Sequence, residues 1–101
     1  MILIFVTFEN NKDAEKAANY LVDNKLAACV ETFPVRSYYY WKGKKLNPEE
    51  ISAIIKTDDG YFDKVRKALE KILPYEIPQI IEVKAENVNL SYLNWVKESL
   101  R

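Results

Sequence analysis

The sequence has no histidine and only one cysteine, Cys29. Histidine is the commonest general base near neutral pH and the commonest protein ligand of transition metals, so its absence removes the usual centre of both kinds of site. A single cysteine cannot form a disulfide within the chain, and together with the many lysines and glutamates it predicts a cytoplasmic protein. We expect Cys29 to be a small, buried apolar side chain.

The chain also lacks an excess of charge, since 15 basic residues balance 15 acidic ones. Binding to nucleic acids or to anionic membranes relies on a surplus of lysine and arginine, so we expect neither partner. The apolar run MILIFVTF (1–8) is too short to span a membrane and has no basic leader, and it is typical of a first strand. With 2 glycines in the chain, there is no phosphate-binding loop and no glycine-rich RNA-binding signature.

What the sequence does contain is enough apolar material for one globular domain, residues 1–101. The apolar periodicity predicts the order βαββαβ followed by an additional C-terminal helix, which is an α+β, ferredoxin-like sandwich. The expected elements are a strand at 2–8, a helix opened by Asn10 or Asn11, a strand over 28–45 that bends at Pro34 and ends in a turn at Gly43, a return strand at 49–57, a helix capped by Asp58 or Asp59, a strand over 77–85 and a helix opened by Asn89 or Ser91.

The predicted strands are more apolar than these helices can cover. Residues 2–8, 54–55 and 80–81 are apolar on both sides of the strand, whereas the two helices of such a sandwich cover one face of its sheet. The additional helix can cover part of the other face. Because a bare apolar face is unstable in water, we expect a homo-oligomer in which further copies of the chain cover the rest.

The stretch SYYYWKG (37–43) has the most unusual composition in the chain. In an extended strand Tyr39 and Trp41 point to one side, and Tyr38 and Tyr40 to the other. One interpretation is that a projecting strand uses aromatic residues on both sides to pack between subunits. The other is that Tyr39 or Trp41 lines a ligand cleft. The sequence favours the first interpretation without excluding the second.

Lys56 and Tyr75 are two further candidate site residues. A lysine at a strand end commonly extends into water; if the ammonium of Lys56 lies under the aromatic hairpin instead, it needs a carboxylate, and Glu50 is the nearest in sequence. Pro74 and Pro78 enclose Tyr75 in a short connection between a helix and a strand. Because proline fixes φ and lacks an N–H donor, these two residues make the connection rigid.

No arrangement of residues predicts an enzyme. The chain has no Ser-His or Cys-His pair and no cluster of cysteine and histidine at metal-ligand spacing. The adjacent acids Glu49-Glu50 and Asp58-Asp59 diverge in a strand or turn, so they make poor acid–base pairs. No set of side chains therefore offers both a nucleophile and its base.

Five stretches, taken in order, resemble the divalent-cation tolerance, or CutA, family. They are LAACV (26–30), SYYYWKGK (37–44), residues 50–57, PYEIPQI (74–80) and YLNW (92–95), and they extend along essentially the whole chain. The resemblance implies a ferredoxin-like protomer in a tight homotrimer similar to the PII signalling proteins, with hairpin arms exchanged between neighbours. It also implies a cleft between subunits, around which five residues match recurring positions and become candidate pocket residues: Tyr39, Trp41, Glu50, Lys56 and Tyr75.

The sequence departs from this family at the positions that are linked to copper in bacterial members. A cysteine of the first strand and histidines just before the Pro-Tyr pair are replaced here by Val6, Ile72 and Leu73. The resemblance therefore carries over no Cys/His copper site. Any divalent metal, Cu²⁺ included, would have to bind through carboxylates such as Glu49, Glu50 or Glu76, which favour harder ions and bind weakly when solvated.

Three functions remain open at this point. The first is a non-enzymatic, cytoplasmic homotrimer that acts in tolerance of, or response to, divalent metal ions and copper in particular, as the resemblance implies. The second is a PII-like sensor that binds a small molecule in the cleft, and the third is a trimeric scaffold for a protein partner. The sequence does not identify the metal, the small molecule or the partner.

Overall fold

Six strands and three helices make up the protein, which is described over residues 1–101 by a computed structural model. The elements in chain order are β1 (Ile2–Phe8), α1 (Asn11–Asp23), β2 (Cys29–Arg36), β3 (Tyr39–Trp41), β4 (Lys44–Leu46), β5 (Glu49–Thr57), α2 (Phe62–Ile72), β6 (Ile80–Lys84) and α3 (Leu90–Ser99). None of the helices has the length and apolar character needed to cross a membrane.

Four of the strands form one antiparallel sheet in the order β2-β5-β1-β6, and β3 pairs with β4 in a separate hairpin. This order confirms the predicted α+β, ferredoxin-like sandwich. The range predicted as one strand, 28–45, is divided into β2, β3 and the start of β4. The pairing of β3 with β4 continues the register of β2 with β5. The break at residues 37–38 lies opposite Pro48, whose carbonyl accepts a hydrogen bond from the Ser37 N–H at 3.0 Å but which has no N–H to donate in return. Pro34 lies inside β2, which tolerates it as an edge strand.

The hydrophobic core lies between the sheet and helices α1 and α2. Alternate residues of β1, from Ile2 to Phe8, are fully buried against these helices, as are Ala53 and Ile55 of β5. Helix α1 contributes Ala14 and Ala17 to the core, and side chains this small let the helix approach the sheet closely. The other residues of the same strands therefore point to the opposite face.

The predicted helix caps are confirmed for α1 and wrong for α2. The side chain of Asn10 accepts a hydrogen bond from the N–H of Asp13 at 2.8 Å, which caps α1. Helix α2 instead begins after Tyr61 without a side-chain cap, because Gly60, at φ +85°, turns the chain between Asp58 and the helix. Helix α3 begins after Asn89, whose side chain donates to the Ser91 hydroxyl at 3.0 Å and caps no backbone N–H.

The face of the sheet opposite α1 and α2, here called the open face, is only partly covered. Helix α3 lies over one end of it and buries Val96 completely. Beyond α3 the open face exposes Phe33 by 41%, Ile81 by 50% and Val83 by 44%. A single chain thus leaves an apolar part of its sheet in contact with water, as the two-sided apolar strands predicted.

The β3–β4 hairpin extends away from the rest of the chain. All three residues of β3 are exposed, and the chain measures 46 × 26 × 21 Å. Its radius of gyration is 14.3 Å, against about 13 Å for a compact chain of this length. Lys42 and Gly43 form the turn with φ of +50° and +80°, the backbone that a tight hairpin turn requires, so the turn predicted at Gly43 is confirmed.

Candidate functional site

A cleft of about 670 Å³ separates the β3–β4 hairpin from the Pro74–Pro78 corner. Its walls are the end of β1, the hairpin, the start of β5 and the corner itself, and we call it the aromatic cleft. Four of the five predicted site residues line it, namely Tyr39, Trp41, Glu50 and Tyr75. A cleft of this size is within the range that holds small organic ligands. A second cavity of about 490 Å³ adjoins it and shares Tyr39 and Glu50.

The Tyr75 hydroxyl holds the Pro74–Pro78 corner against the junction between β1 and α1. It accepts a hydrogen bond from the N–H of Glu9 at 2.9 Å and donates one to Oδ2 of Asp13 at 2.5 Å. Burial raises the pKa of Tyr75 well above its ordinary value, and the bond to the Asp13 carboxylate raises it further, so the hydroxyl stays protonated. Tyr75 therefore fixes a wall of the cleft, and its hydroxyl is already engaged within the chain.

Lys42 places a cation beside the aromatic cleft. Its ammonium lies 5.5 Å from the centroid of the Trp41 ring and 3.6 Å from Oε2 of Glu76. Trp41 and Glu76 both line the cleft, so this ammonium occupies a position between an aromatic face and a carboxylate at its edge. A cation over an aromatic face is attracted by the ring's electrons. This ion pair could not be predicted from the sequence, because Lys42 and Glu76 are far apart along the chain.

The fifth predicted residue, Lys56, does not line the cleft, and its predicted pairing with Glu50 is wrong. Its ammonium lies 3.1 Å from Oε1 of Glu31 and 5.6 Å from the centroid of the Tyr92 ring. The hydrogen bond to Glu31 is the main cause that raises the pKa of Lys56. In the pairing of β2 with β5, Glu31 is opposite Ile54, two residues from Lys56. Glu50 is six residues away along β5, about 20 Å.

The carboxylates of the cleft differ in whether they have a counter-ion. Glu49 lies outside the aromatic cleft and pairs with Arg36 at 2.8 Å. Glu9 and the half-buried Glu50 both line the cleft and have no basic group within 4.0 Å. Within a single chain these two carboxylates therefore have no counter-ion.

The side chains do not fit a soft metal site. No three His, Cys, Asp or Glu residues lie together as a group that could hold a metal ion. Val6 and Leu73 are buried in the hydrophobic core and Ile72 packs against it, so these three positions supply hydrocarbon and no ligand. Cys29 is half-buried on the open face, opposite Lys56, and not buried in the core as expected.

A comparison with known proteins identifies the family to which this chain belongs. The family model described as CutA1 divalent ion tolerance protein matches residues 2–99. The chain belongs to the CutA1 family. This confirms the family that the five sequence stretches indicated, and the family's description names ion tolerance and no enzymatic activity.

Two members of the CutA1 family are similar to this chain over its full length. The divalent-cation tolerance protein CutA of Thermotoga maritima is 39% identical over 100 residues, which are 99% of each chain. That of Pyrococcus horikoshii is 32% identical over 101 residues, covering 100% of this chain and 99% of the relative.

Solved structures of the family agree with the fold. The crystal structure of CutA1 from Pyrococcus horikoshii gives a TM-score of 0.95 at 31% identity and covers 98% of this chain and 97% of the other. The structure described as the periplasmic divalent cation tolerance protein CutA from Archaeoglobus fulgidus gives 0.95 at 32% identity and covers 100% of both chains.

Proposed function

We propose that this CutA1 protein acts as a non-enzymatic homotrimer in the cytoplasm, in tolerance of divalent metal ions that include copper. The family supports the part concerning divalent ions. The apolar open face, with Phe33, Ile81 and Val83 exposed in the single chain, is the observation that carries the assembly. Exposed apolar surface of this kind is covered in stable proteins, and further copies of the chain are the simplest cover. An arrangement like that of the PII proteins would extend the sheet from one subunit to the next.

The mass of the protein in solution tests the assembly. Light scattering at micromolar concentration is expected to give three times the 11.8 kDa of one chain. A mass equal to one chain at that concentration would overturn the proposal. A mass of two or four chains would still support an assembly that covers the open face, but it would reject the trimer.

The role in ion tolerance is proposed without a soft copper site, because the chain has no histidine and Cys29 is its only thiol. Calorimetric titration of chelator-stripped protein with Cu²⁺ and then Zn²⁺ is expected to show only weak, salt-sensitive heats. Saturable binding of a whole number of ions per chain or per trimer would contradict this expectation. It would mean that carboxylates, brought together by assembly, form a site that one chain does not contain.

A second candidate function, a small-molecule sensor, is supported by the aromatic cleft. Its walls combine the rings of Tyr39 and Trp41 with carboxylates, and the tether at Tyr75 shapes it before any ligand binds. Since Lys56 lies outside the cleft, Trp41→Ala is the variant that tests this function and Lys56→Ala is its control. A ligand found by thermal shift should lose its effect in Trp41→Ala and keep it in Lys56→Ala. Equal effects in both variants would reject the cleft as the site.

A further inference from the structure

The charged side chains that line the aromatic cleft are all acidic. Glu9, Glu50 and Glu76 line it, and no lysine or arginine does, although the whole chain has 15 residues of each sign. A cleft that is lined by one sign of charge concentrates ions of the opposite sign. The Lys42 ammonium at the edge of the cleft is already paired with Glu76, so a phosphate or carboxylate ligand would face three carboxylates and no unpaired cation on the cleft walls. The charge therefore favours a cationic ligand.

The positions of the carboxylates are wrong for a metal ion. A bound metal needs several donor atoms at about 2–2.6 Å from one centre, and no group of three acidic residues in this protein is close enough together to provide them. Glu9 follows β1 and Glu50 lies at the start of β5, and because Phe8 pairs with Ile51 these two residues are neighbours at one end of the sheet. Glu76 belongs to the Pro74–Pro78 corner, on another wall of the cleft. The negative charge therefore lies on two walls of the cleft, with Glu9 and Glu50 on one wall and Glu76 on the other.

The Lys42 side chain shows which kind of cation fits beside Glu76. Its ammonium, at the end of a four-carbon chain, lies between the Trp41 ring and the Glu76 carboxylate at 5.5 and 3.6 Å. An alkylammonium group is therefore accommodated there with both a cation–π contact and an ion pair. The Lys42 side chain is itself 71% exposed, so a ligand can displace its ammonium into water.

We propose that the aromatic cleft binds an aliphatic diamine or polyamine. One ammonium takes the place of Lys42 between Trp41 and Glu76, and another pairs with Glu9 and Glu50, which have no counter-ion in the chain. The hydrocarbon between them packs on the rings of Tyr39 and Trp41. The inference rests on the sensor function proposed above and names the ligand class of that same cleft. It is independent of the metal role.

Tryptophan fluorescence provides the test, because the chain has only 2 tryptophans and Trp95 lies in α3, outside the cleft. In a Trp95→Phe background Trp41 is the only reporter. At constant ionic strength, 1,4-diaminobutane and spermidine are expected to change its emission saturably. Because n-butylamine has one ammonium and fills one place, it should bind at least about tenfold more weakly. Mg²⁺ and succinate should cause no saturable change.

Three variants in the same background separate specific binding from general attraction. Glu50→Gln is expected to weaken diamine binding about tenfold. Glu86→Gln removes the same charge at an exposed position outside the cleft, and it should bind as the parent does. Lys42→Asn should bind more tightly, because it removes the competing ammonium while asparagine tolerates the positive φ of the turn. A gain of affinity cannot come from a loss of folding.

The outcomes that overturn the inference are distinct. Equal affinities of Glu50→Gln and Glu86→Gln, or competition by Mg²⁺ at the same concentration as the diamine, would reduce the effect to charge screening. Saturable binding of succinate without the amines would reject the ligand class and keep the cleft as a sensor site. Absence of binding by the diamine and spermidine would reject the ligand class, whereas the sensor function is rejected separately by equal thermal shifts in Trp41→Ala and Lys56→Ala.

Discussion

Tyr75 shows at the scale of one residue how the cleft keeps its shape. We expect Tyr75→Phe to lower the free energy of unfolding by about 1–2 kcal/mol, because the change removes the two hydrogen bonds to the Glu9 N–H and the Asp13 carboxylate and keeps the ring. Urea unfolding followed by circular dichroism measures the difference. The same variant should also loosen the Pro74–Pro78 corner, which amide hydrogen exchange at residues 75–77 would record as faster exchange.

Tyr38→Phe is the matched control for this prediction. Tyr38 is 67% exposed, and its hydroxyl makes no hydrogen bond within the chain. Removing its hydroxyl should change the free energy of unfolding by less than about 0.5 kcal/mol. If Tyr75→Phe and Tyr38→Phe had the same free energy of unfolding, the two hydrogen bonds of the Tyr75 hydroxyl would make no net contribution to stability.

The candidate site could be predicted in its residue types and only partly in its contacts. Tyr39 and Trp41 alternate along a strand, and their common direction follows from that period alone. The partner of Lys56 did not follow from sequence distance, because the register of β2 on β5 brings Glu31 beside it. The bond from Tyr75 to Asp13 joins residues 62 positions apart, and no local pattern marks a contact of that separation.

At the scale of elements, the β3–β4 hairpin depends on the backbone of its turn. Gly43 has φ of +80°, and a Cβ added there would meet no atom within 4 Å, so Gly43→Ala strains the backbone without a steric clash. We expect this change to destabilise the hairpin by about 1 kcal/mol, which should speed amide exchange in β3 and β4 several-fold. Lys42→Asn, at φ +50°, should leave that exchange unchanged or slow it. Faster exchange in both variants would mean that contacts of the Lys42 side chain, and not the turn, hold the hairpin.

The attachment of α3 to the end of β5 makes stability depend on pH. The Lys97 ammonium lies 3.1 Å from Oδ2 of Asp58. Partial burial by itself would raise the pKa of Asp58, but the N–H of Asp59, the Lys97 ammonium and the Met1 α-amino group outweigh it and hold that pKa below its ordinary value. A depressed pKa stabilises the fold above the ordinary value, about 3.9, and this stabilisation is lost as the pH falls through the folded-state pKa.

Lys97→Met should therefore raise the pKa of Asp58 and lower the free energy of unfolding at pH 6 by about 0.5 kcal/mol, since Lys97 is half exposed and the pair is screened. The difference from the parent should shrink as the pH falls below the ordinary carboxyl pKa and disappear below the folded-state pKa, where Asp58 is protonated in both the folded and the unfolded state. Urea unfolding at a series of pH values measures it. Lys67→Met, at an exposed α2 position without an ion pair, is the control. A constant difference at every pH would assign the effect to helix propensity.

The elements themselves were largely predictable because each has a clear period of apolar residues. The features that the sequence did not predict are those that depend on a long-range contact or on the backbone of a turn. The strand expected over 28–45 is interrupted opposite Pro48, which has no N–H to return the bond that Ser37 donates, and Asp58 does not cap α2 because Gly60 turns the chain before the helix begins. Both Asp58 and Asp59 are suitable caps by residue type, but the Asp58 carboxylate accepts hydrogen bonds from the Asp59 N–H and the Lys97 ammonium instead.

At the scale of the whole molecule, the sheet of a single chain has one apolar face that the chain itself does not cover. Only 16 of the 101 residues are buried, and the open face keeps apolar side chains in water. The expectation of a homo-oligomer came from strands that are apolar on both sides, and it stays a prediction. The open face, and not the total apolar content, is the feature that distinguishes an assembled protein from a monomer with an ordinary surface.

A single charge on the open face should separate the chains without unfolding them. Ile81 lies opposite Phe5 on that face and is 50% exposed in the single chain, so Ile81→Asp costs the isolated protomer little. Inside an apolar interface the same carboxylate would be buried without a partner, which is strongly unfavourable. Light scattering at micromolar concentration should then give a lower mass than the parent, while circular dichroism stays unchanged. Ile77→Asp provides the comparison, because Ile77 is 73% exposed and lies on the Pro74–Pro78 corner. If Ile81→Asp kept the parent mass, the open face would not be the contact between chains.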